Sequence, residues 1–117
     1  MKFENIMDLI QVFANEYCSP GSKVLILGLY TPEIKKMFEF IDSDTIFVNE
    51  SPSSTFDIIS DYSDLPFEEH SFDIILNFTS YTDLFNFVKE NGRILTLGEI
   101  LNGENYYYHR NSVFTVI

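Results

Sequence analysis

Apolar residues near the start of the chain recur at intervals of three and four, which is the spacing of one face of an α-helix. The stripe consists of Ile6, Leu9, Ile10, Phe13 and Tyr17. It ends before Ser19-Pro20-Gly21, because proline cannot continue a helix. A second stripe, from Ile34 to Ile41, follows Thr31-Pro32, where the threonine hydroxyl can cap free N–H groups and proline suits the first helical position. The pattern predicts two amphipathic helices.

The apolar run between these helices, residues 24–27, contains no polar alternation. Such a run is typical of a strand covered on both faces, and therefore of a central, parallel strand. Further strand candidates follow, and the last two flank Arg110-Asn111 as an antiparallel hairpin. They are residues 45–48, 56–60, 72–77, 93–97, 105–109 and 112–117, with a short helix over Tyr81–Val88 and an Asn91-Gly92 turn before residue 93. This alternation of elements predicts an α/β sheet with an antiparallel edge.

The interval between the second and third predicted strands is short. Only six residues separate Asn49 from Phe56, whereas a helical crossover between parallel strands needs roughly ten to twelve residues. No helix fits there. We therefore expect one face of the sheet to be poorly covered near these two strands.

Composition and charge narrow the class of protein. The chain has 117 residues, of which 45% are apolar and 16% aromatic, so we expect one domain over residues 1–117. Its net charge of −11 argues against nucleic acid or an anionic membrane surface as a partner. No apolar run approaches the roughly 20 residues that span a bilayer. Glu4 and Asp8 interrupt the first apolar residues, unlike a signal peptide, and the single Cys18 cannot form an internal disulfide. These features predict a cytoplasmic protein.

The sequence contains no motif for a metal site or for a catalytic nucleophile. His70 and His109 lie far apart without a cysteine partner, which argues against zinc. The spacing of Asp64, Glu68 and Glu69 matches no calcium loop. No G-x-S-x-G sequence presents a serine nucleophile. The sequence therefore predicts no metal site and names no catalytic residue.

Three stretches of the sequence share a known pattern. Residues 24–32 are V-L-I-L-G-L-Y-T-P, residues 61–76 are D-Y-S-D-L-P-F-E-E-H-S-F-D-I-I-L, and residues 89–95 are K-E-N-G-R-I-L. They resemble V-L-D-L-G-x-G-x-G, D-x-x-x-L-P-F followed by S-F-D and an apolar strand, and K-P-G-G-R-L in class I S-adenosylmethionine-dependent methyltransferases. The similarity covers about residues 20 to 97.

The resemblance implies a fold and a cofactor site. The fold would be a three-layer Rossmann-like sheet, mostly parallel in the strand order 3-2-1-4-5, with a C-terminal antiparallel hairpin and some helices trimmed away. For S-adenosylmethionine, Gly28 would let the methionine part approach, and Asn49 or the adjacent Glu50 would bind the ribose. Asp61 would contact adenine, with the Tyr62 backbone at the ring edge. Gly28 can instead be a plain strand-to-helix turn, and Asp61 a loop-capping carboxylate.

Departures from the family pattern bear directly on function. Of the three glycines only Gly28 is kept, because Tyr30 and Pro32 stand at the other two places and Ile26 replaces the acid. Glycine suits such loops because it permits positive φ and lacks a Cβ. We therefore predict a cofactor cradle that is altered or filled. Asn77 also lacks the prolines that follow it in amino-methylating relatives. Two functions remain open: a non-catalytic scaffold for a protein partner or a second copy, and an active methyltransferase on a small molecule or protein.

Overall fold

One eight-stranded mixed sheet organises the computed structural model, which describes residues 2–51, 56–98, 103, 105–110 and 112–117. The helices are α1 (Ile6–Tyr17) and α2 (Pro32–Phe40). The strands are β1 (Lys2–Phe3), β2 (Lys23–Leu27), β3 (Asp44–Asn49), β4 (Ile58–Ile59), β5 (Phe72–Asn77), β6 (Val88–Leu97), β7 (Asn105–His109) and β8 (Ser112–Val116). Short 3₁₀ turns occupy Tyr62–Asp64 and Phe85–Phe87. Neither helix in this described part of the chain is long and apolar enough to cross a bilayer.

Both helices begin where local capping residues stand. The Asn5 side chain accepts a hydrogen bond from the Met7 N–H at 2.8 Å, immediately before α1. The Thr31 hydroxyl accepts one from the Ile34 N–H at 3.1 Å, and Pro32 is the first residue of α2. Each cap satisfies an N–H group that has no partner inside the helix. The two predicted helices are confirmed.

The strands of the sheet lie in the order β1-β7-β8-β6-β5-β2-β3-β4. This complete order differs from the predicted one, because β1 pairs in parallel with β7 as an additional edge strand and β8 lies between β6 and β7. Within it, the five strands predicted as parallel are neighbours as β4-β3-β2-β5-β6, and all four of these pairings are parallel. The predicted C-terminal hairpin is present as β7 and β8, although Asn111 lies outside the described residues.

Two local predictions between β5 and β6 are wrong. No α-helix forms over Tyr81–Val88, where the structure has only the 3₁₀ turn Phe85–Phe87. Leu84 is buried in the core, so the helical spacing of apolar residues there reflects a loop that packs inward. Asn91 and Gly92 do not form a turn before a strand but lie within β6. β6 bulges there, since Phe72 of β5 pairs with Val88 and Ile74 of β5 already pairs with Arg93.

The sheet has a helix face and a loop face, as alternate residues of β2 show. On the helix face, Val24 and Ile26 join a core with buried residues of both α1 and α2. On the loop face, Leu25 and Leu27 pack with residues of the connections rather than of α-helices, including Tyr62. The predicted three-layer arrangement is therefore incorrect for the described residues: α-helices cover one face only, and irregular segments cover the other.

The face near β3 is better covered than the short connection suggested. Phe47 is 3% exposed, because the Tyr30 ring packs edge-on against it with a centroid distance of 5.0 Å. Phe56 packs against Tyr30 in turn. The Asp57 carboxylate accepts a hydrogen bond from the Phe47 N–H at 2.9 Å. The Asp57 backbone N–H donates to the Phe47 carbonyl at 3.0 Å. Aromatic rings thus replace a helix here, and Ile59 on the edge strand remains 45% exposed.

Candidate functional site

The candidate site lies at the carboxyl ends of β2, β3 and β5, where open α/β sheets bind ligands. The register brings these ends together, because Leu27 pairs with Val48 on one side and with Asn77 on the other. Gly28 follows Leu27 with φ of +82°, a conformation that glycine adopts without strain. Its N–H donates to the Val48 carbonyl at 2.9 Å. Gly28 therefore turns the chain sharply at the centre of this edge.

Tyr62 closes the space between the ends of β2 and β3. It begins the 3₁₀ turn Tyr62–Asp64 and is 8% exposed. Its hydroxyl donates to Asn49 Oδ1 at 2.9 Å, and its backbone N–H donates to Glu50 Oε2 at 3.3 Å. Asn49 Nδ2 donates in turn to the Ser51 carbonyl at 3.3 Å. The two residues expected at a ribose site, Asn49 and Glu50, therefore both accept hydrogen bonds from Tyr62.

The space beside Gly28 is also filled from within the chain. A methyl group placed on Gly28 would lie 2.6 Å from Thr79 Cγ2 and 3.5 Å from the Tyr62 hydroxyl oxygen. The first distance is far below van der Waals contact. The bare backbone of Gly28 thus admits two side chains of the protein itself. We call the space bounded by Gly28, Asn49, Tyr62 and Thr79 the strand-end crevice.

Asn77 holds Thr79 in this position. Its Oδ1 accepts hydrogen bonds from the Thr79 N–H at 3.0 Å and the Thr79 hydroxyl at 2.6 Å. Its Nδ2 donates to the Tyr81 carbonyl at 2.5 Å and to Thr96 Oγ1 at 3.1 Å. Asn77 is 1% exposed, so its amide is committed to the loop that follows β5. In this arrangement it organises the loop and has no free group for an acceptor substrate.

The remaining residues named from the sequence lie around the crevice rather than in it. Asp61 is exposed, and its carboxylate makes no capping bond to the 3₁₀ turn that follows. The Tyr30 ring contacts Phe47 on the helix face, and Pro32 is the first residue of α2. The structure therefore brings Gly28, Asn49, Glu50 and Tyr62 together and leaves Asp61 at the rim. Thr79 was not predicted, although a hydroxyl two residues after Asn77 is a local signal for a side-chain turn.

The surroundings of Tyr62 shift the pKa of its phenol upward. Burial raises this pKa above the usual value of 10.0, a hydrogen bond with the Glu50 backbone opposes the rise, and the charge of Glu50 adds to it. A phenol is already protonated at neutral pH, so the raised pKa only extends to higher pH the range in which Tyr62 donates to Asn49. Within the described ranges, no three His, Cys, Asp or Glu residues are grouped closely enough to hold a metal ion.

The sheet and its edge site define the class as an α/β fold with a mostly parallel sheet. No protein-family model matches the sequence, and no curated protein matches it. Among solved structures, the chain is similar to the YcgJ protein from Bacillus subtilis, with a TM-score of 0.59 and 19% sequence identity. The match covers 78% of this chain and 49% of that one, so this chain spans about half the length of YcgJ. At this identity the likeness shows the fold alone.

The residues at the strand ends do not fit S-adenosylmethionine in this arrangement. The methionine part of the cofactor beside Gly28 would meet the side chains of Thr79 and Tyr62. A ribose at the end of β3 would have to displace the Tyr62 hydroxyl from Asn49. Because buried polar groups are costly to leave unpaired, such a ligand would have to replace these contacts before adding its own.

Proposed function

We propose that this chain is a non-catalytic, methyltransferase-like domain that acts as a scaffold for a protein partner. One observation carries the proposal: the Tyr62 phenol, bonded to Asn49, fills the crevice where the resemblance would place the cofactor. Fold likeness does not transfer activity, which depends on the site. The single, unpaired Cys18 suits a reducing compartment, and the proposal includes a cytoplasmic location.

Three features of the crevice support loss of cofactor binding. Tyr62 packs in the same apolar cluster as Leu27 and Val48, so displacing its ring would uncover the loop face of the sheet. The Asn49 amide already uses its oxygen and its nitrogen within the chain. Thr79 is held against Gly28 by two hydrogen bonds to Asn77. A ligand would have to break all three arrangements, which would lower its net affinity.

A second candidate function is S-adenosylmethionine-dependent methyl transfer. The observation that favours it is Gly28, which keeps a positive φ directly beside Asn49 at the neighbouring strand end. In this alternative Gly28 admits the methionine part, Asn49 or Glu50 binds the ribose, and Asp61 and the Tyr62 backbone bind adenine. The Tyr62 side chain would have to leave the crevice first. Catalysis would then consist mainly of aligning the acceptor with the methyl group.

Calorimetry separates the two functions. We would titrate S-adenosylmethionine and S-adenosylhomocysteine into the wild-type chain, into Asp61→Ala and into Asp64→Ala. Asp64 is the matched control, because it is also exposed and ends the 3₁₀ turn that Asp61 precedes. The scaffold proposal expects no heat of binding at millimolar ligand in any of the three proteins. Saturable micromolar binding that Asp61→Ala weakens and Asp64→Ala does not would overturn the scaffold proposal and favour the methyltransferase alternative.

A further inference from the structure

One side chain lies much closer to Gly28 than any other. A methyl group added to Gly28 would lie 2.6 Å from Thr79 Cγ2, but 3.5 Å from the Tyr62 hydroxyl oxygen and 3.6 Å from the Phe78 carbonyl carbon. The last two distances are ordinary van der Waals contacts, whereas the first is an overlap. Thr79 therefore occupies the space beside Gly28, and Tyr62 borders that space.

Hydrogen bonds fix the Thr79 methyl group in this place. The Thr79 hydroxyl donates to Asn77 Oδ1 at 2.6 Å and accepts a hydrogen bond from the Tyr81 N–H at 3.1 Å. Because the hydroxyl and the methyl group share one Cβ, the two bonds that hold the hydroxyl also set the direction of the methyl group. Thr79 is thus a rigid obstruction and not the mobile end of a flexible side chain.

The loop that carries Thr79 is itself tied to neighbouring strands. The Phe78 N–H donates to the carbonyl of Leu27, the last residue of β2, at 3.0 Å. Asn77 is buried at the end of β5 and donates to Thr96 Oγ1 on β6 at 3.1 Å. Moving the loop away from Gly28 would therefore break hydrogen bonds to both β2 and β6.

Tyr62 obstructs a different part of the strand-end crevice. Its hydroxyl donates to Asn49 Oδ1 at 2.9 Å, and Asn49 is where the resemblance would place the ribose. The methionine part would instead lie beside Gly28, where Thr79 stands. The mismatch with S-adenosylmethionine therefore has two causes, one for each of these parts of the ligand.

We infer that Thr79 excludes the methionine part of S-adenosylmethionine from Gly28, so that removal of the Tyr62 side chain alone does not reopen the crevice. The inference rests on the proposed non-catalytic function and assigns the loss of ligand space at Gly28 to one methyl group. Thr79 is then a specificity-determining residue of this site.

A double-mutant cycle tests the contact between Thr79 and Gly28. Urea unfolding is measured for the wild-type chain, Gly28→Ala, Thr79→Ser and the double variant. Thr79→Ser removes only Cγ2 and keeps the hydroxyl that bonds to Asn77. The strain of an alanine at positive φ is present with and without Thr79→Ser, so it cancels in the comparison. Thr82→Ser is the matched control, because Thr82 is an exposed threonine of the same loop and none of the three atoms nearest the added methyl group belongs to it.

We expect Gly28→Ala to lower the urea midpoint about twice as much in the wild-type chain as in Thr79→Ser. In Thr82→Ser the drop should equal that in the wild type. Equal drops in the wild type and in Thr79→Ser would overturn the inference, as would a drop that Thr82→Ser reduces just as much.

Calorimetry with S-adenosylhomocysteine gives a second readout. Tyr62→Ala, checked for a native circular dichroism spectrum, should show no saturable binding at millimolar ligand, because Thr79 remains beside Gly28. Saturable binding to Tyr62→Ala but not to the wild type would overturn the inference and leave the scaffold function standing, whereas binding to the wild type would refute that function. If Tyr62→Ala does not fold, the urea cycle decides the inference by itself.

Discussion

The strand-end crevice can be tested by removing parts of Tyr62 one at a time. Tyr62→Phe deletes only the hydroxyl that donates to Asn49 at 2.9 Å, and Tyr62→Ala deletes the whole ring. The Asn49 side chain is partly exposed, so water can replace the lost donor. We therefore expect Tyr62→Phe to lower the free energy of unfolding by about 1 kcal/mol, the usual net value of one hydrogen bond.

Removal of the ring should have a much larger effect. The ring is 8% exposed and packs on the loop face of the sheet, where no α-helix among the described residues covers the core. Large-to-small changes of a buried aromatic residue cost about 3 to 5 kcal/mol, from lost burial and from the cavity left behind. With a urea m-value of about 2 kcal/mol/M, the unfolding midpoint would fall by about 0.5 M for Tyr62→Phe and about 1.5 to 2.5 M for Tyr62→Ala.

Urea unfolding followed by far-UV circular dichroism measures these shifts, since the chain contains no tryptophan. Tyr108→Phe and Tyr108→Ala are matched controls, because Tyr108 is 46% exposed. Both controls should unfold close to the wild-type midpoint. The view that Tyr62 fills a structural crevice would be refuted if Tyr62→Ala were no less stable than Tyr108→Ala, or if Tyr62→Phe matched the wild type.

Three further predictions follow from other residues. Gly28→Ala should lower the urea midpoint more than Gly21→Ala, because both have positive φ but only Gly28 would also bring a methyl group within 2.6 Å of another side chain. Burial, with a smaller contribution from Asp73, raises the pKa of Cys18 to about 12, so a thiol reagent at about pH 8 should label it only after unfolding. Because the unfolded thiol ionises near its usual value of 9.0, the free energy of unfolding should also fall as pH rises above that value. Burial raises the pKa of Asp73, but the Lys23 N–H and the Lys89 ammonium outweigh it and leave the pKa below 3.8. Its stabilisation is then fully present above 3.8 and lost as pH falls through the lowered value, and Asp73→Asn should flatten that part of a stability-against-pH curve.

Loops take over the role of helices on one face of this sheet. The connections that follow β4 and β5 form only 3₁₀ turns, yet they place Tyr62, Leu65 and Leu84 in the core of the loop face. A single buried aromatic ring covers area that would otherwise need several smaller side chains. The ring that closes the crevice is therefore also part of the core, so the side chain that fills the crevice also stabilises the fold.

Elements with local signals were predictable from the sequence. The Thr31 cap and the apolar stripes of both helices lie within or next to the helices they define. The unbroken apolar run of β2 likewise identified a central strand. β1 was missed, because two residues carry no periodic pattern and their partner β7 lies about a hundred residues away in the sequence. The false helix over Tyr81–Val88 arose because inward-packing loop residues can imitate helical spacing.

The sequence by itself indicated which residues stand near the strand ends, since Gly28, Asn49 and Tyr62 match positions of the resembled family's pattern, and it predicted a cradle that is altered or filled. It pointed to Tyr30 and Pro32 as the obstruction, whereas the Tyr30 ring lies on Phe47 and Tyr62 fills the space instead. Only the tertiary structure decided this, because the parallel register that sets β2 between β3 and β5 joins residues distant in sequence. Side-chain direction depends on that register, and no local pattern encodes it.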